Sequence, residues 1–305
     1  MTGFLLRRCC IALFVVLVVT LLVAWAVRLS GDPAVMLTGA GNVTEQDLEN
    51  IRKGLGLDRP FYVQYLSFVG GMLTGDMGSS FMGHQSVSML VGHALPLTLL
   101  LTFVSLALAL ALSIPLGVHA AVNRNGWADQ TIRIVSLVGL SFPNFWLALM
   151  LVLVFGVWLG WLPPSGADSP LGLVMPSVTI AIILTATTVR LVRTTMLDTL
   201  SAQYIMVARA KGLREWVVLY HHALRNCAIP LITYIGLQFG GLIGGVVVVE
   251  RVFNWPGMGS LAFDAVASRD YPVLQACVTV LAAMIVGINL LIEIVYGTLD
   301  PRMRQ

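Results

Sequence analysis

The sequence predicts an all-α, polytopic membrane protein with six spanning helices and both termini on the cytoplasmic side. Composition is the first reason: of 305 residues, 57% are hydrophobic and 11% charged. A soluble domain carries about 25% charged residues, so this chain has too few to clothe a water-facing surface. Second, uncharged apolar stretches near the roughly 20 residues needed to cross a bilayer occur six times. Third, Lys and Arg are placed unevenly. With the N-terminus inside, twelve of the 18 fall on the cytoplasmic side, the asymmetry that sets orientation. A net charge of +3, with no basic run interleaved with aromatics, gives no reason to expect nucleic acid.

The whole chain, 1–305, reads as one transmembrane domain, and its elements follow in order. The spans lie at about 9–28, 94–122, 134–161, 170–194, 227–249 and 272–296. Met1–Arg8, an apolar run and Ala24-Trp25-Ala26 imitate a cleavable signal peptide. The run is longer than a signal core, so it reads as a retained first span. Segment 29–93 then lies outside, where Thr44-Glu45-Gln46-Asp47 has the pattern of a helix start. The third span carries Pro143 and is expected to kink, and the fourth has Pro176 near its start. Segment 195–226 is the largest inner piece. Cys9, Cys10, Cys227 and Cys277 lie in or beside apolar runs without C-x-x-C spacing, and read as small buried hydrophobes rather than a metal or disulfide framework.

Several chemistries are excluded. A P-loop needs a lysine followed by Ser or Thr to reach phosphate and magnesium, whereas Lys53 and Lys211 are each followed by glycine. Neither H-E-x-x-H nor G-x-S-x-G occurs, so no catalytic residue is assigned. His221-His222 are adjacent, which on a helix is poor ligand spacing, and no metal site is assigned. A proton or ion relay needs intramembrane charge. Glu293 is the charge clearly inside a span, while Glu250 and Arg251 sit at the outer end of span five. That weakens a stand-alone secondary transporter, and a membrane-embedded enzyme lacks a nucleophile–base constellation.

Within 195–226, Ser201 is the expected N-cap of a short helix carrying Ile205, Met206, Ala208 and Arg209, which Gly212 ends in the left-handed conformation. A second helix carries Trp216, Val217, Leu219, Tyr220 and Leu224, before Pro230 opens the next span. The result is a basic helix–glycine–helix element at the membrane surface, or else an ordinary connector anchored by snorkelling arginines. In span five, Gly240, Gly241, Gly244 and Gly245 stand at i, i+4 spacing that permits close helix approach.

Around this loop, ARAKGLREWVVLYHHALRNCAIPLIT resembles the membrane subunits of bacterial ABC importers of the peptide/nickel-uptake type. Matching blocks run nearly end to end: GDPA (31–34), LGLDRPFYVQY (55–65), GDMGSS (75–80), IPLGVHAA (114–121), SFPNFWL (141–147), GWLPPSG (160–166), VFNWPGMG (252–259), RDYPVLQ (269–275) and LDPR (299–302). The chain departs from the wider ABC-permease loop, which has a glutamate and two alanines where Met206-Val207-Ala208 stand, and proline where Arg225 follows Leu224.

The resemblance implies a type I importer-like permease without its own ATPase site. Its partners would be a second, homologous permease subunit, two cytoplasmic ATPase subunits that bind ATP and Mg, and an extracytoplasmic binding protein. The docking loop would present Tyr204, Ala208, Arg209, Ala210, Lys211, Gly212, Trp216 and Arg225. The glycines of span five would pack within the chain or form the seam with the second permease, and 29–93 would touch the binding protein or simply cover the membrane domain. The family carries dipeptides, oligopeptides, glutathione, nickel and metal chelates. His84 and His93 are weak candidates for metal ligands, so a peptide-like solute is the preferred expectation and nickel or a chelate the alternative.

Overall fold

A computed structural model describes residues 2–29, 31–37 and 44–299, with backbone alone for 2–5, 243–245 and 295–299. Among the described residues every regular element is helical, beside one isolated antiparallel bridge between Ser79 and Ser86. The first elements are α1 (Thr2–Leu29), α2 (Pro33–Leu37), α3 (Glu45–Gly54), α4 (Phe61–Thr74) and α5 (Val87–Val122). Then come α6 (Trp127–Ser141), α7 (Asn144–Leu151) running into a π-helical segment at Val152–Trp158, and α8 (Val174–Leu200). The last are α9 (Gln203–Ala210), α10 (Leu224–Val252), α11 (Met258–Ala267) and α12 (Tyr271–Leu299).

Leu6–Leu29, Val87–Val122, Pro170–Leu200 and Tyr271–Ile294 are each long and apolar enough to cross a bilayer. Two bent pairs, Trp127–Ser141 with Asn144–Trp158 and Val217–Leu242 with Val246–Val252, bring the number to six if each is one crossing. The first pair turns through 98°, so the expected single kinked third span is two helices. Phe142 precedes a proline, which disfavours the α region. Both Phe142 (ψ 130°) and Pro143 (ψ 142°) are extended, and two such residues stop a helix. Pro176 stands in the first turn of α8, where its missing N–H has no intrahelical acceptor to leave empty. Thr44 caps α3 as its sequence predicts: its Oγ1 accepts from the Asp47 N–H at 3.3 Å and the Asp47 carboxylate accepts from the Thr44 N–H at 3.2 Å, a reciprocal capping box.

Contacts divide the chain into two compact units. The first comprises Met1–Thr98 and Pro256–Leu290. Its core is built by Val87, Val91 and Ala94 of α5, Met258 and Ala265 of α11, and Val273, Ala276 and Cys277 of α12. Sequence blocks far apart in the chain meet here. The Tyr271 hydroxyl donates to the Gly31 carbonyl, and Asp270 accepts from the Ser80 hydroxyl and, at 3.2 Å, from the Phe81 N–H. Gly31 has φ +119°, and a Cβ there would lie 2.6 Å from the Arg269 guanidinium, so only glycine fits. Cys9 and Cys10, expected to be buried, are exposed on α1, whose Leu13, Phe14 and Leu22 also face outward. An apolar helix surface in lipid needs no protein cover.

The second unit comprises Leu99–Trp255 and Leu291–Gln305. Helix α8 is its centre, packed against α6, α7 and α10 and burying Ile180, Leu184, Val189, Val192 and Met196. Gly117 of α5 meets α8 closely: a Cβ there would sit 2.6 Å from Val192 Cβ and 3.1 Å from the Val189 carbonyl oxygen. Overpacking of this kind costs about 1–3 kcal/mol. Gly117→Ala should therefore lower the thermal midpoint of the solubilised protein, with partial recovery in Gly117→Ala/Val192→Ala; an unchanged midpoint would contradict this packing. A Cβ on Gly236 would lie 2.0 Å from Ile292 Cδ1. Intrachain close approach is thus made at Gly117 and Gly236, while Gly241, singled out in the sequence for close approach, has no atom within 4 Å of its Cβ position. Gly240 is half-buried in α10, and Gly244 and Gly245 lie where backbone alone is described.

The unit also holds charge that the reading of spans had not placed. Asp129 of α6 is fully buried and grips Arg193 of α8 through two bonds, Nε to Oδ1 at 2.5 Å and Nη2 to Oδ2 at 2.6 Å, with the Asn125 N–H on Oδ2 at 2.9 Å. Glu250, near the end of α10, is fully buried as well.

Candidate functional site

The helix–glycine–helix element is built outward from the core of the second unit. Helix α8 continues to Leu200, and Ser201 closes it rather than capping the next helix. Ser201 is in the αR conformation, and its hydroxyl turns back to the Asp198 carbonyl at 2.7 Å. Ala202 is the extended residue from which α9 starts, without a side-chain cap. On α9, Ile205 and Ala208 share one face at i, i+3 and are buried with Val192, Met196, Val218 and Ala223. Full burial of an Ile side chain is worth about 1.5–3 kcal/mol, which is enough to hold so short a helix in place. The other face carries Met206 and Val207, 57% and 52% exposed.

Gly212 ends α9 as expected, at φ +75°. The Leu213 N–H reaches the Ala208 carbonyl at 3.4 Å and the Gly212 N–H reaches the Arg209 carbonyl at 2.9 Å, the paired bonds of a Schellman turn. A Cβ on Gly212 would meet nothing within 4 Å. Backbone conformation alone therefore demands glycine here, and the turn stands clear of its surroundings. Arg209 ties the two arms together: its Nη2 lies 2.6 Å from Glu215 Oε1.

The second arm differs from expectation. It does not stop before Pro230. From Glu215 it runs through a π-helical segment, Val217–Ala223, straight into α10, and Pro230 lies inside that helix. The Leu224 N–H bonds to the Leu219 carbonyl, five residues back. Proline inside a membrane helix is tolerated where neighbours compensate the freed carbonyl. Trp216, 67% exposed, stacks on Tyr220 with centroids 4.0 Å apart, and Asn226 donates to the Tyr204 hydroxyl at 2.5 Å. Ala210, Lys211 and Arg225 are exposed. The rings of His221 and His222, adjacent in sequence, meet edge-on at 5.2 Å. Among the described residues no group of three metal-ligating side chains converges.

The structure therefore presents Tyr204, Arg209, Gly212 and Trp216 on one element, whereas Ala208, expected to be presented with them, is buried on the face that anchors α9. It adds Glu215, Leu213 and Asn226, which sequence reasoning had passed over. Glu215 could have been found from its place six residues after Arg209, across the glycine. What results is an exposed apolar surface of Met206, Val207, Leu213 and Trp216, flanked by cationic Lys211 and Arg214 and by the Arg209–Glu215 pair.

Farther along α10 a cleft of about 220 Å³ opens between α7, α8 and α10, with Asn144, Ile183, Gln238 and Gly241 in its wall. In the first unit a larger pocket of about 370 Å³ is lined by Arg28, Arg59, Gln64, Asp76 and Gln275, among others.

Comparison with known proteins identifies the family and the fold. The family described as "Binding-protein-dependent transport system inner membrane component" matches residues 113–305, and its N-terminal membrane component matches 1–102. The glutathione transport system permease protein GsiC of Pectobacterium atrosepticum is 41% identical over 276 residues, covering 90% of each chain. That of Salmonella choleraesuis is 40% identical over 306 residues, covering all of this chain and 99% of its own. Among solved structures, the inward-facing MetNI methionine ABC transporter superposes with a TM-score of 0.60 at 18% identity, over 70% of this chain and 97% of that one, which shows a shared fold. From both halves of its length, the chain belongs to the family of binding-protein-dependent transport system inner membrane components, multi-pass permease subunits of ABC importers whose ATPase activity lies in separate subunits.

Proposed function

We propose that this permease carries short peptides or a peptide-like solute such as glutathione across the inner membrane, coupled to ATP hydrolysis through the element 203–226. The observation that carries the coupling reading is the exposed apolar surface of Met206, Val207, Leu213 and Trp216 on a turn whose geometry Gly212 fixes. Exposed apolar side chains rimmed by charge fit a protein partner better than water or lipid headgroups. That partner is a cytoplasmic ATPase subunit, which supplies ATP and Mg. The anchored face at Ile205 and Ala208 makes the element a lever: displacement of α9 is passed to α8 and α10 through the shared core. Closure of an ATPase pair would then rock the spans between inward- and outward-facing states.

The remaining parts follow from the same reading. The six crossings count each bent pair as one, with both termini cytoplasmic and a binding protein meeting the outer segment 29–93. A second, homologous permease completes the path. The open space at Gly241 supports a seam there, because a glycine that packs on nothing among the described residues is free to admit a neighbouring helix. The solute class rests on relatives named for glutathione transport at 40–41% identity. No comparable observation favours nickel or a metal chelate.

The test is uptake of labelled reduced glutathione and of trialanine by proteoliposomes holding the assembled complex and its binding protein. Uptake that requires ATP and Mg supports the reading, and uptake by this chain alone without ATP overturns it. A charge swap probes the docking element. Arg209→Glu places two glutamates side by side across the turn, and should cut coupled uptake at least tenfold while the complex still co-purifies. The exposed ion pair itself is worth only about 0–1 kcal/mol, so folding survives. Arg209→Glu/Glu215→Arg restores the pair but not the charge pattern seen by the ATPase, and should recover little uptake. Full recovery would mean that the pair acts within the turn alone.

A further inference from the structure

We infer that the cleft between α7, α8 and α10 is a solute-recognition site for the neutral amide backbone of a peptide, with Asn144 and Gln238 as its hydrogen-bonding groups. This rests on the peptide-solute reading above and deepens it. The cleft measures about 220 Å³, far above the roughly 10–15 Å³ that admits one water. Its wall combines two primary amides with the aliphatic side chains of Ile180, Ile183 and Leu184 and the bare backbone of Gly241. Among the described residues no lining side chain is charged.

The Gln238 amide is held by a relay. Its Nε2 donates to Thr187 Oγ1 at 3.4 Å, and Thr187 Oγ1 in turn donates to the Leu184 carbonyl at 3.0 Å. Among the described residues that is the one hydrogen bond of the Gln238 side chain, so Oε1 and the second N–H are left for the cleft. Polar side chains within membrane helices are costly unless paired, and so mark solute pathways. A primary amide presents one donor and one acceptor side by side, which matches the N–H and C=O of a peptide unit. Ile180, Ile183 and Leu184 offer contact for small apolar side chains. Among the described residues the same lining offers no imidazole, thiolate or carboxylate, and so suits a peptide rather than a bare metal cation. Gly241 adds bare backbone to the same wall. Thr187 is a positioning residue, acting through Gln238.

The experiment uses the assembled complex in proteoliposomes, with reduced glutathione and trialanine as probes. Asn144→Leu and Gln238→Met should each raise the KM for uptake about five- to tenfold, the size expected for one lost hydrogen bond, with the complex recovered at wild-type yield. Thr187→Val should raise KM about twofold, and Thr187→Ser should restore it, which a merely structural role would not require. If the wild-type complex takes up the probes and both Asn144→Leu and Gln238→Met leave KM within twofold, the site is refuted and the solute reading stands. If the wild-type complex takes up neither probe, the solute reading falls and this site with it. Should one variant not assemble, the other alone decides.

Discussion

Gly212→Val should abolish coupled transport while leaving the permease in the membrane. At φ +75° a β-branched side chain strains the backbone by roughly 1–3 kcal/mol. The affordable response is to unwind the turn, losing the Leu213–Ala208 and Gly212–Arg209 bonds that aim one arm at the other. Because nothing lies within 4 Å of the Cβ position, the substitution creates no clash in the core, and the damage stays in the turn. The expected result is uptake reduced at least tenfold, with ATP hydrolysis no longer stimulated by loaded binding protein. Gly212→Asn, which tolerates the left-handed region, should retain most of the activity. Normal coupling in the valine variant would remove the turn from the mechanism.

The largest effect on stability is expected at Asp129. Truncating it to alanine leaves the Arg193 guanidinium, 17% exposed, without its carboxylate. Breaking a buried pair from one side costs about 3–5 kcal/mol, whereas replacing both partners by apolar residues is often neutral. Asp129→Ala should therefore lower the thermal midpoint of the solubilised protein sharply and reduce its yield, and Asp129→Leu/Arg193→Met should recover most of both. The two pair helices α6 and α8, and α8 carries α9 at its end. A wild-type midpoint in Asp129→Ala would contradict the pairing.

Much of this architecture is legible in the residues. Apolar runs mark the long helices because a bilayer imposes their length, and Thr44 and Asp47 announce α3 because a capping box is local. Gly212 is equally plain, since a left-handed residue after a helix is nearly always glycine. What stayed hidden depends on neighbours distant in sequence. Asp129 and Arg193 stand 64 residues apart, and each alone reads as a charge at a helix end. The break at Phe142–Pro143 is signalled by proline, but nothing local distinguishes a kink from a 98° turn. Proline misled at position 230, where the helix simply continues. The glycine run in span five suggested close packing, which Gly241 does not make among the described residues, whereas Gly117 and Gly236 meet Val192 and Ile292 of other segments.

The claim at the centre of this account is that 203–226 is where the ATPase engages. Its most direct measurement is site-specific cross-linking in the assembled complex, with exposed Cys9 and Cys10 replaced by serine and single cysteines introduced by Met206→Cys, Trp216→Cys and, as a control on another loop, Trp161→Cys. The account predicts cross-links to the ATPase subunit from positions 206 and 216, changing in yield when ATP is added, and none from position 161. No cross-link from either 206 or 216 in the assembled complex would contradict it.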